Sequence, residues 1–319
     1  MASPTTLSSS IRCAVFVIVS FFQGLVVAGG VTFTFTFTNR CGGTVWPGVL
    51  ANSGSPPLET TGFALASGEA RSLAAPAGWS GRFWARTGCS FDDGASGGKC
   101  ATGDCGSGEA ECHGAGAAPP ATLVEFTLAG GANKEDYYDV SLVDGYNVPV
   151  VVEAAGCPAT GCVVDLNERC PPELRASAAG QGCRSACEAF GRPEYCCSGD
   201  FGNPDTCHPS AYAQAFKSAC PRAYSYAYDD ASSTFTCSGS AAYSVTFCPR
   251  AGATPSSLKS SNDPIPRPGD VVDSAQVAAD TWLASLATGE SDAATRMGAA
   301  SLLLQAALAA AVMSLLLSR

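Results

Sequence analysis

Histidine, methionine and charge are all scarce in this sequence. Among 319 residues there are 2 His, 3 Met and 4 Trp. With only His113 and His208, a Ser-His-Asp triad or a multi-histidine zinc centre has little material. No metal site and no cofactor is expected. Charged residues make up 14%, and the 18 Lys and Arg are outnumbered by 28 Asp and Glu, a formal charge of −10. That deficit of basic residues excludes a nucleic-acid binder, which needs a Lys/Arg patch. There is no internal repeat and no Asn-x-Ser/Thr acceptor site. What is abundant is Cys (17), Gly (35) and Pro (20), with a hydrophobic share of 46% that suffices for a packed core. Thiols at such density point away from a reducing cytosol and towards disulfides.

Both ends read as processing signals. Residues 11–28 run from Ile11-Arg12 through an apolar stretch to Val27-Ala28, a secretory signal peptide spanning 1–30, cut after Ala28 or Gly30. The apolar run is short for a membrane span and is broken by Ser20, Gln23 and Gly24. Its removal takes Cys13 and leaves 16 Cys between Cys41 and Cys248, an even number. At the other end, Leu302–Leu317 is apolar and lies beyond a small-residue cluster around Gly289, Ser291 and Ala293. Small-residue site, spacer and apolar tail form the signal for a glycosylphosphatidylinositol (GPI) anchor, with Ser291 as attachment site and 301–319 removed. A true transmembrane helix would want about 20 apolar residues and a basic flank; here Arg319 alone follows. Residues 251–300 are a Pro/Ser-rich linker and stalk. The folded domain is therefore 31–250.

Within that domain the period of two is clearest at Val31–Thr38, where Val31, Phe33, Phe35 and Phe37 share one face and the threonines the other. Leu123–Leu128 and Tyr137–Val152 are further strand regions, the latter broken by the hairpin-type turn signal Asp144-Gly145. Gly and Pro punctuation favours a β-sandwich or barrel. Residues 157–220 are denser in Cys, with helix candidates over 172–190 and 210–219. A mainly β body with a smaller disulfide-rich lobe is expected, with a cleft between them.

Several stretches are distinctive: Arg82-Phe83-Trp84-Ala85-Arg86-Thr87-Gly88-Cys89, Cys100-Ala101-Thr102-Gly103-Asp104-Cys105 with Cys112, Tyr138 to Asn147, Glu194-Tyr195-Cys196-Cys197 and Ala223 to Asp230. On these the chain resembles the thaumatin-like proteins, the osmotin or fifth pathogenesis-related family of plants, from about Val31 to Pro249. The resemblance implies a flattened β-sandwich with an acidic inter-lobe cleft. It also implies the pairs Cys41–Cys248, Cys89–Cys100, Cys105–Cys112, Cys157–Cys237, Cys162–Cys220, Cys170–Cys183, Cys187–Cys196 and Cys197–Cys207.

The family's cleft residues, carried over motif by motif, are Arg82, Glu125, Asp139, Asp144 and Asp229. Clustered carboxylates push one another's pKa up, while Arg82 would hold one ionised. A glycosidase uses that asymmetry, one carboxyl as acid and one as base or nucleophile, with Glu125 and Asp144 as candidates. Each acid also has a plainer reading: Asp144 as a turn residue before Gly145, Asp139 and Asp229 as capping or solvated residues among tyrosines, and Glu125 as a strand residue facing water. Trp46, Trp79, Trp84, Phe91, Tyr137 and Tyr146 could stack on sugars, though core burial is the commoner fate of such rings.

Three functions compete. The leading one is a secreted or surface-anchored, monomeric defence protein that binds fungal β-1,3-glucan through the cleft and is antifungal. The second is a weak endo-β-1,3-glucanase. The third is a structural or signalling ectodomain held by the anchor.

Overall fold

The computed structural model describes residues 32–91, 97–130, 134–177 and 181–250. The signal peptide, the linker and stalk, the apolar tail and Ser291 lie outside the described residues. Among the described residues no helix is long and apolar enough to cross a membrane.

The alternation at the start of the domain becomes strand β1 (Thr32–Asn39), with Phe33, Phe35 and Phe37 buried. The following strands are β2 (Val45–Ala51), β3 (Ala70–Pro76), β4 (Ser80–Thr87), β5 (Leu123–Thr127), β6 (Asp136–Ser141), β7 (Val150–Glu153), β8 (Thr160–Cys162), β9 (Phe235–Cys237) and β10 (Ala242–Phe247). They form two five-stranded sheets, ordered β3-β1-β10-β7-β8 and β2-β4-β5-β6-β9. First and last strands, β1 and β10, pair in parallel at the middle of one sheet. The sheets meet through rings: Phe35 of the first lies 4.8 Å from Phe83 and 4.7 Å from Phe126 of the second, edge to face. Such contacts add roughly 0.5–1.5 kcal/mol per pair to the burial of the rings.

Three expectations are corrected by the fold. The Asp144-Gly145 turn does not close a hairpin: β6 and β7, on either side of it, belong to different sheets. Residues 172–190 are not one helix. Among their described residues are a 3-10 turn at Pro172–Leu174 and a short helix α1 (Ala186–Phe190). Between them the antiparallel bridge Arg175↔Cys183 and the Cys170–Cys183 disulfide fold the chain back on itself. The other helix candidate is observed as a helix over Ala211–Ala219, its Ser210 side chain accepting from the Ala213 N–H. The 157–220 segment is also less separate than expected, because β8 is an edge strand of the first sheet.

The sixteen described Cys form the eight pairs that the resemblance implied. Cys41–Cys248 joins the chain just beyond β1 to the chain just beyond β10. The architecture is mainly β, with two packed sheets and a disulfide-rich segment carrying the short helices.

Candidate functional site

The same alternation that buries Phe83, Val124, Phe126, Tyr138 and Val140 between the sheets turns their neighbours to the opposite face of the second sheet. Register then does the rest. Arg82 on β4 stands opposite Glu125 on β5, which stands opposite Asp139 on β6. Three strands thus line up one cation and two carboxylates in a transverse row. Directly opposite side chains in antiparallel strands lie close enough to interact, and Arg82 Nε is 3.6 Å from Glu125 Oε1.

This row is largely screened from water, with Arg82 and Glu125 partly open. The chain just beyond the disulfide-rich segment is laid across the end of β6: the Tyr224 N–H donates to the Val140 carbonyl, and the Leu142 N–H donates to that of Tyr224. The Cys183 N–H donates to the Tyr146 carbonyl. Glu125 is 9% exposed and Asp139 3%. The plainer reading of Glu125 as a water-facing strand residue is therefore corrected.

Asp144 joins the row from the turn Leu142–Gly145, closed by the Gly145 N–H on the Leu142 carbonyl. The Asp144 carbonyl accepts from Ala121 N–H, which pins the turn to the entry of β5. Gly145 has φ +84°, and a Cβ there would lie 2.8 Å from the Cys183 carbonyl oxygen and 2.8 Å from Pro120. Only glycine fits this turn without strain.

Electrostatics tie the four together. Burial raises the pKa of Glu125, with Arg82 opposing and Asp144 adding to the rise. Asp139 is raised furthest, by burial and then by the Glu125 charge, again against the pull of Arg82. Asp144 is raised by burial, with Arg82 pulling down and Glu188 pushing up. Burial outranks mutual repulsion as the cause at all three. One cation thus faces three carboxyls, each raised by burial and each drawn back by Arg82.

Asp229, the fifth expected residue, is engaged differently. Its Oδ2 accepts from the Ser225 N–H at 3.0 Å and the Ser225 hydroxyl at 2.9 Å, and pairs with Lys217 Nζ at 3.0 Å. Its neighbour Asp230 is the one whose charge reaches Asp139, while the Tyr224 hydroxyl donates to Asp230 at 2.7 Å. Sequence reasoning did not single out Lys217, Tyr224 or Asp230. The last two stood in the quoted Ala223–Asp230 stretch; Lys217 had no local signal, since its partners come from beyond its own helix.

Of the aromatic candidates, Trp79, Trp84 and Tyr146 are fully buried. Trp46 and Phe91 are half-buried and pack edge to face at 5.9 Å. Among the described residues no group of His, Cys, Asp and Glu could hold a metal ion. Beside the row lies a cavity of ≈ 320 Å³ between the disulfide-rich segment and residues 143–144 and 225–227, which of the five expected residues Asp144 alone lines.

Residues 39–249 match the Thaumatin family. The chain belongs to the thaumatin family. Thaumatin-like protein 1 of Arabidopsis thaliana is 60% identical over 73% of this chain and 94% of its own length. Pathogenesis-related protein 5 of the same plant is 55% identical over 67% of this chain and 90% of its own. The PR5-like receptor kinase of Arabidopsis thaliana is 46% identical over 73% of this chain but only 36% of its own length. Among solved structures, the thaumatin-like xylanase inhibitor TLXI is 25% identical, covers 67% of this chain and 99% of its own, and has a TM-score of 0.38. Membership of this pathogenesis-related thaumatin family gives the chain a role in plant defence. An extracellular setting fits the eight disulfides, which persist in oxidising compartments.

Proposed function

We propose that this thaumatin-family protein acts in defence by binding β-1,3-glucan of fungal walls through the Arg82–Glu125–Asp139 row and Asp144, and that it is antifungal. The carrying observation is the cross-strand register that places a guanidinium and two carboxyls side by side on one sheet face. Sugar hydroxyls donate to carboxylates and accept from guanidinium, so such a row suits a neutral polysaccharide better than a simple ion. The chain works as a monomer in this reading.

A second reading, a weak endo-β-1,3-glucanase, is favoured by one specific observation. Glu125 and Asp144 both have raised pKa values, and a proton donor needs that. Pelleting with insoluble β-1,3-glucan, run beside an assay for released reducing sugar, separates the two. Wild-type protein is expected to pellet without releasing sugar, Glu125→Gln to stay in solution, and hyphal growth to be inhibited by the wild type. Pelleting without growth inhibition would leave a surface ectodomain instead.

The C-terminal signal is part of the proposal: a GPI lipid at Ser291 would hold the domain on the outer face of the plasma membrane. Phospholipase treatment of intact cells should release the protein, and a chain lacking 301–319 should be secreted directly.

A further inference from the structure

The cavity of ≈ 320 Å³ meets the row only at Asp144, since Arg82, Glu125 and Asp139 are not among its walls. Its size is at the lower end of the range for small-ligand sites. Two disulfides that line it, Cys187–Cys196 and Cys197–Cys207, fix its walls before any ligand arrives.

Its lining combines rings and negative charge. Tyr195, Tyr212 and Tyr226 contribute phenol rings. Two of them continue outward: the Phe190 ring lies 5.7 Å from Tyr195 and 5.5 Å from Tyr212. At 39% exposure, Phe190 is the one exposed large hydrophobic among the described residues. Asp144, Glu188 and Glu194 supply the carboxyls. Glu194 is already paired with Arg192, which also lies over the Tyr195 ring. Among the described residues no Lys or Arg forms an ion pair with Glu188, and its charge acts on Asp144. His208 is the remaining titratable group on the wall apart from the phenols.

Aromatic faces beside carboxylates attract a desolvated ammonium group. A neutral glucan would use the rings and leave the Glu188 charge unanswered, since Arg82 acts on Asp144 but not on Glu188. A bare basic side chain would answer the charge but leave the exposed ring platform uncovered. A sugar ring bearing an amine answers both. We propose that this cavity is a second glycan site, selective for a saccharide with free amino groups, whose rings pack on Tyr195, Tyr212 and Phe190 while the ammonium is held by Asp144 and Glu188. Apart from Asp144 on their shared edge, it uses none of the residues of the glucan reading.

Calorimetric titration of the oxidised protein at low salt tests this with four probes: a fully deacetylated glucosamine tetramer, its N-acetylated counterpart, a β-1,3-glucose tetramer and tetralysine. The amino tetramer should bind roughly tenfold more tightly than the acetylated one, with the difference lost at about 0.5 M salt. Glu188→Gln should weaken it about threefold to fivefold, and Phe190→Ala by a similar factor. Both positions are exposed, so neither change should disturb folding, and both variants should still pellet with β-1,3-glucan. Equal affinity for the amino and acetylated tetramers, no binding of the amino tetramer, or unchanged affinity in both variants would overturn the proposal. Tighter binding of tetralysine would overturn the sugar assignment. Loss of glucan pelleting with the amino tetramer still bound would remove the other reading and leave this one standing.

Discussion

Asp139 shows what the row costs the fold. It is buried, its Oδ1 has no hydrogen-bond partner, and its pKa is raised well above the ordinary value of an aspartate. The unfolded chain releases this proton near pH 3.9. Between that value and the folded one, the folded chain holds a proton that the unfolded chain has lost, so stability falls as pH rises through the interval. Asp139→Asn removes the penalty. The variant should be more stable than wild type by about 1 kcal/mol near pH 7, with the gap closing as pH falls towards about 4. Urea midpoints at both pH values check this. Loss of glucan binding in a variant that has gained stability cannot be put down to unfolding, a trade-off common at functional sites. The acids themselves were legible through the motifs around them. The dominant cause of their shifts was not, because burial depends on the segment laid over the sheet. Lys217 was equally illegible: its Nζ meets Asp229, 12 residues on, only because a helix and a later turn bring them together.

At the level of elements, alternation was the most legible signal. Thr32–Asn39 and Leu123–Thr127 are strands where the pattern placed them. The helix at Ala211–Ala219 was equally plain, with Ser210 before it and Tyr212 and Phe216 four apart. Local pattern failed where long-range pairing decided. Asp144-Gly145 carries the hairpin signature, yet it passes the chain from one sheet to the other, since β7 finds its partners in β10 and β8. Likewise, helical spacing in 172–190 gave way to the bridge and disulfide that double the chain back. The turn bearing Asp144 also gives an element-level test. Gly145→Ala adds a methyl against Cys183 and Pro120 at a positive φ, which should cost about 1–3 kcal/mol and displace Asp144. Thermal unfolding and glucan pelleting should both worsen; an unchanged melting temperature with full binding would contradict this view of the turn.

For the whole molecule, the cross-links set the scale of stability. Cys41–Cys248 spans 207 residues, and closing a loop that long contributes about 5 kcal/mol in the chain-entropy picture. The oxidised protein should melt above the ordinary mesophile range, beyond roughly 65 °C. Replacing Cys41 and Cys248 together by Ser should lower the melting temperature markedly, and reduction of all eight bonds more so. A calorimetric scan that shows no such ordering would count against this role. The pairing itself was legible only through family resemblance, because sixteen Cys allow far too many connectivities for spacing to choose among.

The most direct test of the central claim is a heteronuclear NMR titration of the oxidised protein with a soluble β-1,3-glucan oligomer. Shift changes are expected to centre on Arg82, Glu125 and Asp139, on neighbouring strands of the second sheet, and on the Leu142–Gly145 turn. Changes confined to other surfaces, or none at saturating oligomer, would contradict it.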